Sequence, residues 1–555
     1  MITRRGFIKN GAMASVAASV NPANVLQTDI KVTEFGADPS GQMDSTAAIQ
    51  AAFQAASQNS VRRIVFTNGT YQLATASHSA INIIGKNGLE VEGGASKIVM
   101  GVDAVAITLD KCSNVTFRDL SIDWNPPRYV QGQVTGSGVG WCEIMVDPRF
   151  AVPSIPGILS VDAYDRSLRG VSPHTVSIQG TSITSATFVR PGILRLAYGP
   201  MPKVPVGTIL VVRFQGNHDA VRVTHCDNVT FANVRLLSSP MMGFNISNSR
   251  DLQFRTIHIG FDFESSRLLS TIADGMHITN CSGQLLIQNS IFQGMGDDAI
   301  NINSAMWRAH QARAATSAVL YKRTGAFATP EDVPKGGEDV EVLDPRDMHV
   351  ISRSRTDSSS VPEGAIVTIA NRIPQTEIST CKFLGNRARA IVGHANMRIE
   401  NNIFQNTSLA AIIIAPDSHW LEGPVTEDVV INSNTFSGCH YASDALEGTV
   451  AVDVEHTASR RVGVPNGAAH NVTITNNIFR QTYTAALSCR SVDGLVVQGN
   501  QIGAVWNGQS GRPAILLEQI TNGTVTHNSA NPRSIMSVKQ SVNTAVSDNP
   551  GFLVS

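Results

Sequence analysis

Seven segments of this chain repeat one pattern: "NVTFRDLSI" at Asn114, "NVTFANVRL" at Asn228, "DLQFRTIHI" at Asp251, "MRIENNIFQ" at Met397, "VVINSNTFS" at Val429, "VTITNNIFR" at Val472 and "LVVQGNQIG" at Leu495. Each alternates apolar and polar residues, meets a polar turn that often holds Asn, and resumes on an apolar residue. Asn228 and Asp251 are 23 residues apart, Val472 and Leu495 also 23, and Ile378 and Ile399 are 21. Alternation inside a unit of low-twenties length marks a β-solenoid, in which each turn hides its apolar face only by stacking on the next. Leucine-rich repeats share the period, but their Leu signature is missing. At 555 residues the chain is too long for one ordinary globular core, and a stacked architecture removes that limit.

Cys112 in "KCSNVTF" and Cys226 in "HCDNVTF" hold the same place in near-identical segments, with Cys281 in "NCSGQLLI" a looser third. They read as small apolar residues stacked in equivalent core positions. All seven cysteines lie far apart without C-x-x-C spacing, which argues against a disulfide framework or a thiolate metal site.

A solenoid needs capped ends, because a bare terminal rung is an open sheet edge. "VTEFGADPSGQMDSTAAIQAAFQAA", Val32 to Ala56, supplies a strand, a Gly/Pro loop, a helix start at Asp44/Ser45 and a helix with Ala48, Ile49, Ala52 and Phe53 on one face. This stretch resembles the N-terminal cap of pectate-lyase-like right-handed parallel β-helices. The fold expected is therefore all-β, a right-handed parallel β-helix with a short capping helix.

Two segments break the rhythm, 126–217 and 305–371. Their internal alternation ("GILRLAY", "GTILVVRF", "GGEDVEVLD", "GAIVTIA") predicts two small β-barrel-like insertions that wall a groove. The resulting division is a leader at 1–25, cap and first rungs at 30–125, an insertion at 126–217, rungs at 218–304, the second insertion at 305–371 and terminal rungs at 372–555. The leader "TRRGFIKNGAMASVAASV" sets Arg4-Arg5 and Phe7 ahead of a short apolar stretch, and resembles a bacterial twin-arginine export signal leading to the periplasm or beyond. No later stretch is long and apolar enough to span a bilayer. A formal net charge of -1 provides no general field for nucleic acid.

"GMGDDAIN", Gly294 to Asn301, sets two carboxylates side by side. Asp274 precedes Asp297 by 23 residues and Asp298 by 24, one full rung. Equivalent positions on adjacent rungs stand roughly 4.8 Å apart, so three carboxylates converge on one patch. They repel unless one keeps a proton or a cation intervenes, and a retained proton is what acid/base hydrolysis of a glycoside requires. A calcium site or a simple turn are the competing readings. Against calcium, Gly393-His394 stands where a further carboxylate would follow.

The run "SRLLSTIADGMHITNCSGQLLIQNSIFQGMGDDAININ", with "VGTILVVRF" upstream, "SSPMMGFNIS" between and "IENNIFQNTSLAAIIIAPDSHWLEGPVTEDVVINSNTFSGC" downstream, resembles glycoside hydrolase family 110, the exo-acting α-1,3-galactosidases. The resemblance covers most of the chain from about Val32. It implies that Asp274, Asp297 and Asp298 are the catalytic group of an inverting hydrolase that uses no metal or other cofactor. The implied substrate is an oligosaccharide or polysaccharide with terminal α-linked galactose. Asp297 is the expected acid, with Asp274 and Asp298 holding the water; the acid role could instead fall to Asp298.

Supporting candidates follow. Trp420, Glu422 and Asp417 in "DSHWLEG" could form a sugar platform and hydroxyl acceptors. Arg267 and His277 flank Asp274 and would bind hydroxyls or tune the carboxylates, although strand alternation puts His277 opposite Asp274 unless Gly275 bends the chain. Asn303 and His394 complete the set. The rival readings are a polygalacturonase-like endo-hydrolase, whose downstream pattern is only hinted at by "GHANMR", a polysaccharide lyase, and a non-catalytic carbohydrate-binding β-helix. Nothing in the sequence sets the number of chains in an assembly.

Overall fold

The computed structural model describes residues 29–555 apart from 59–60, 76–77, 151, 153, 174–176, 200–202, 263, 312–318, 323–332, 336, 346–347, 357–360, 443–447, 454–466 and 506–511. The Arg4-Arg5 leader lies outside the described residues.

The repeats stack in parallel register, and the chain is a right-handed parallel β-helix. In the longest ladder Phe231, Phe254, Ile287, Ile378, Ile399, Ile431, Ile474, Val497 and Val525 are consecutive partners. All nine are fully buried. An apolar residue held at one register position on every rung yields a continuous core that no single rung could form. A second file stacks the rings of Phe292, Phe383, Phe404, Phe436 and Phe479 at centroid spacings of 5.0, 4.8, 4.8 and 4.7 Å.

The recurrent Asn has a physical role. In "ENNIF" and "TNNIF" the first Asn, Asn401 or Asn476, takes a left-handed conformation (φ 58° and 57°) that Asn tolerates better than most residues. The second Asn turns inward. Asn402, Asn434, Asn477, Asn500, Asn528 and Asn549 form a ladder in which each side-chain amide donates to the next residue's Oδ1 at 2.9 to 3.0 Å. Buried amides that would otherwise lack partners satisfy each other along the axis.

The cap helix spans Thr46–Gln58 and buries Ile49, Ala52, Phe53 and Ala56 against the first rungs. Cys112, Cys226 and Cys281 are buried, and the Cys112 backbone N–H points at the Cys226 sulfur (3.4 Å). Among the described residues no helix is long and apolar enough to cross a membrane.

Residues 129–214 form an antiparallel sheet of eight strands, from Tyr129–Gly138 to Ile209–Phe214. Here the barrel expectation is corrected. Among the described residues the sheet does not close, since its end strands Gly170–Val171 and Ile183–Arg190 pair only with their inner neighbours. Its apolar face needs no closure because Leu268, Leu269 and Ile272 of the β-helix complete its core. In the second insertion Asp339–Leu343, Val350–Arg355 and Ile366–Ile369 pair antiparallel, the last also with the long strand Ile300–Gln311.

Candidate active site

Two consecutive rungs build the site. Strand Met276–Thr279 pairs in parallel with Ile300–Gln311, aligning Met276 with Ile300, His277 with Asn301 and Thr279 with Asn303. Met276, Ile278, Ile300 and Ile302 point into the core, so His277, Asn301 and Asn303 face outward. Asp274 and Asp298 each lie two residues before this aligned segment and so occupy the same position one rung apart. Asp297 stands beside Asp298. One oxygen from each of the three carboxyls lies within 4.8 Å of the others.

The glycines of "GMGDD" permit this approach. A Cβ at Gly296 would stand 2.2 Å from the Ile272 carbonyl oxygen, and one at Gly275 would stand 2.6 Å from that of Ala299. Gly294 takes φ +68°. Between them Met295 is buried in the core and anchors the turn. The Asp298 N–H donates to Asp274 Oδ1 (3.2 Å), and Asp298 Oδ1 accepts the Arg389 N–H (2.9 Å) with the Arg389 guanidinium 3.6 Å away.

Burial dominates the electrostatics. Asp274 and Asp298 are each 7% exposed, whereas Asp297 is half-buried. Loss of hydration raises the Asp298 carboxyl to about 8; Arg389 opposes this rise, and the neighbouring Asp297 and Asp274 add to it. Burial likewise raises Asp274 to about 6, opposed by its bond to His277. Asp274 and Asp298 therefore hold a proton between them near neutrality.

The structure gathers some of the sequence candidates here and disperses others. His277 corrects the alternation argument: Asp274 precedes the strand rather than lying in it, the chain turns at Gly275, and His277 Nδ1 sits 2.9 Å from Asp274 Oδ2. Burial lowers the His277 pKa, but the Asp274 bond and the nearby Asp274, Glu422 and Asp219 charges outweigh it, and the net shift is upward. Asn303 Nδ2 lies 3.5 Å from His277 Nε2 and donates to Asn301 Oδ1 (3.1 Å). Glu422 joins the cluster by accepting from Asn301 Nδ2 (3.1 Å), with its other oxygen 3.9 Å from His277 Nε2.

Asp417 instead shapes the loop that carries Glu422, accepting the N–H groups of His419 (2.7 Å) and Trp420 (2.9 Å). Trp420 is 49% exposed at the loop tip. Arg267 is a second correction. Its guanidinium grips both oxygens of buried Asp123 (2.8 and 3.2 Å) and the Leu237 carbonyl (3.2 Å), because a buried carboxylate 144 residues away needs that charge. His394 is fully buried at a turn between strands. Sequence reasoning missed Asn301, Arg389, Asp219 and Asn245. Asn301 lies inside the "DDAININ" motif and follows His277 by 24 residues, the same rung length as Asp274 to Asp298, whereas Asn245 precedes His277 by 32 and falls outside that spacing.

The family model described as "Rhamnogalacturonase A/epimerase, pectate lyase-like" matches residues 30–109, and "Glycosyl hydrolases family 28" matches 213–313, the span holding all three Asp residues. "Alpha-1,3-galactosidase B" of Bacteroides thetaiotaomicron is 25% identical over 85% of this chain and 86% of its own length. "Alpha-1,3-galactosidase A" of Shewanella woodyi is 24% identical over 90% of each. Among solved structures, an exopolygalacturonase from Thermotoga maritima aligns at a TM-score of 0.43 and 14% identity, covering 86% of this chain and 87% of that one. The chain is therefore a parallel β-helix protein homologous over most of its length to proteins named alpha-1,3-galactosidase, with pectate-lyase-like and family 28 models each matching part of it.

Proposed function

We propose that this enzyme removes terminal α-1,3-linked galactose from glycans, acting from the chain end and inverting the anomeric centre. The observation that carries the reading is the Asp274/Asp298 pair at one register position on consecutive rungs, with the more exposed Asp297 beside it. In the free enzyme Asp298 stores the proton. That proton passes to Asp297, the most accessible of the three, which delivers it to the glycosidic oxygen, while Asp274 and the now ionised Asp298 hold the water and Asp274 takes its proton. Protonation frees the leaving sugar as an alcohol, and the water oxygen forms the new bond to the anomeric carbon.

Exo action is supported by the loop after Ile412–Ile414. It turns back toward the catalytic rung, where Glu422–Gly423 pairs antiparallel with Ser304 and Ala305 and Glu422 bonds Asn301. The outward-facing Val392 and Ile413 on the next two rungs are buried. A substrate stopped on that side enters by its end and not by its interior. Trp420 at the rim offers an aromatic face to the sugar.

No cation is required in this reading. The ladder position after Asp274 and Asp298 belongs to Arg389, which brings positive charge to Asp298. The Arg4-Arg5 leader implies export of the folded enzyme, and seven buried unpaired cysteines suit a chain that folds under reducing conditions beforehand.

A second reading, hydrolysis of galacturonides, is favoured by the family 28 match across the three Asp residues. A panel of terminal α-galactosides and polygalacturonate, assayed for released sugar, separates the two. Free galactose from an α-1,3-galactoside is the expected result. Release of galacturonate alone would overturn the proposal.

A further inference from the structure

The first insertion reaches the turns that carry the carboxyls. Arg213, on its last strand Ile209–Phe214, is 4% exposed and reaches out of the insertion into the catalytic turns. Its Nη1 donates to two main-chain carbonyls, Ile272 (2.7 Å) and Gly296 (2.8 Å). Ile272 lies two residues before Asp274, and Gly296 immediately before Asp297. One guanidinium nitrogen thus ties together the two turns that present the carboxyls. It can bridge them only because the turns nearly touch, which the missing Cβ of Gly296 allows.

The arginine is itself fixed from the insertion. Its Nε donates to Ser160 Oγ (2.9 Å) and lies 3.4 Å from Asp162 Oδ2. Asp162, almost fully buried, also accepts from Ser160 (2.6 Å) and Ser177 (2.6 Å). From the β-helix side Arg387 completes the junction, with Nε 3.2 Å from Asp162 Oδ2 and Nη1 donating to the Gly296 carbonyl (3.4 Å). Two cations share one buried carboxylate, and the remaining positive charge acts on Asp297.

We infer that Arg213, held by Asp162 and Ser160, is a positioning residue that sets the separation of Asp274 from Asp297, so that the insertion is a working part of the active site. Because one nitrogen of Arg213 holds both carbonyls next to the carboxyl-bearing turns, the position of the guanidinium sets the spacing of those turns. Positioning acts on kcat rather than on ground-state binding, and displacement of a reacting group by about 1 Å costs roughly 10²-fold.

The inference rests on the glycosidase reading above, so the test uses whichever glycoside the full-length wild-type enzyme hydrolyses. Absence of any hydrolysed glycoside would fault that reading and not this one. Arg213→Met, which leaves Asp162 paired with Arg387, is measured alone and with Asp162→Asn, which also removes the anchor on the insertion side. Arg213→Lys keeps the charge but cannot make both the Ser160 bond and the carbonyl bridge. The result expected is a drop in kcat of about 10²-fold in Arg213→Met and in the double variant, with KM within threefold, and partial recovery in Arg213→Lys. Thermal melting is followed in parallel. If the methionine variants melt below the assay temperature, the lysine variant decides by the same kcat-against-KM split. Folded variants with kcat within threefold of wild type, or a loss confined to KM, would overturn the inference.

Discussion

Asp274 and Asp298 stand at the same position on consecutive rungs, and the Asp298 N–H donates to Asp274 Oδ1 at 3.2 Å. Two carboxyls stacked in this way cannot both ionise cheaply out of water, so the fold itself retains a proton at the site.

Replacing Asp274, Asp297 or Asp298 by Asn preserves shape but removes proton transfer. Each variant should lose about 10²- to 10⁴-fold in kcat while melting near the wild-type temperature. An aryl galactoside with a good leaving group needs little acid help, so Asp297→Asn should lose least on it. Equal losses on both substrates would take the acid role away from Asp297.

The pH profile follows from the two raised carboxyls. Asp298, raised to about 8, supplies a proton that is present below that value and lost above it. Asp274, raised to about 6, is ionised above that value and protonated below it, where it can no longer accept from water. Plotted as kcat/KM, activity should form a bell between limbs near 6 and 8, with the basic limb displaced in Asp298→Asn. Constant activity through pH 9 would contradict the shared proton.

Gly296→Ala introduces a Cβ 2.2 Å from the Ile272 carbonyl oxygen. The turns must part, at a cost of roughly 1–3 kcal/mol and with loss of the Arg213 bridge. A variant that matches wild type in both denaturant midpoint and kcat would show that the close approach is dispensable.

Exhaustive chelation should leave kcat unchanged, because Arg389 brings positive charge to Asp298 and His277 is bonded to Asp274. Activity lost to chelator and restored by calcium would make the three carboxyls a metal site.

Inversion predicts that β-galactose appears first when digestion of an α-galactoside is followed by proton NMR before mutarotation. The expected gap between acid and base is roughly 6.5–9.5 Å in inverting enzymes and about 5–5.5 Å in retaining ones. One oxygen from each of the three carboxyls here lies within 4.8 Å of the others. Early α-galactose would assign the shorter gap and a retaining mechanism.

The sequence by itself determined the solenoid and the register of its carboxylates. Alternation, inward Asn and recurrent Phe are local patterns, the Asn repeated at intervals of 21 to 43 residues, and parallel stacking turns each repeat into a vertical neighbour. The 24 residues from Asp274 to Asp298 are one rung, so their meeting was legible without coordinates. Tertiary structure decided what surrounds them. Arg267 is taken by Asp123, Glu422 returns to Asn301 across 121 residues, and Arg213 reaches Gly296 across 83. His277 shares a side with Asp274 because the chain bends at Gly275. These pairings fall outside the period. They depend on where an insertion docks and how a loop folds back, and burial then fixes which charges must meet, since a buried carboxylate left without a partner is costly.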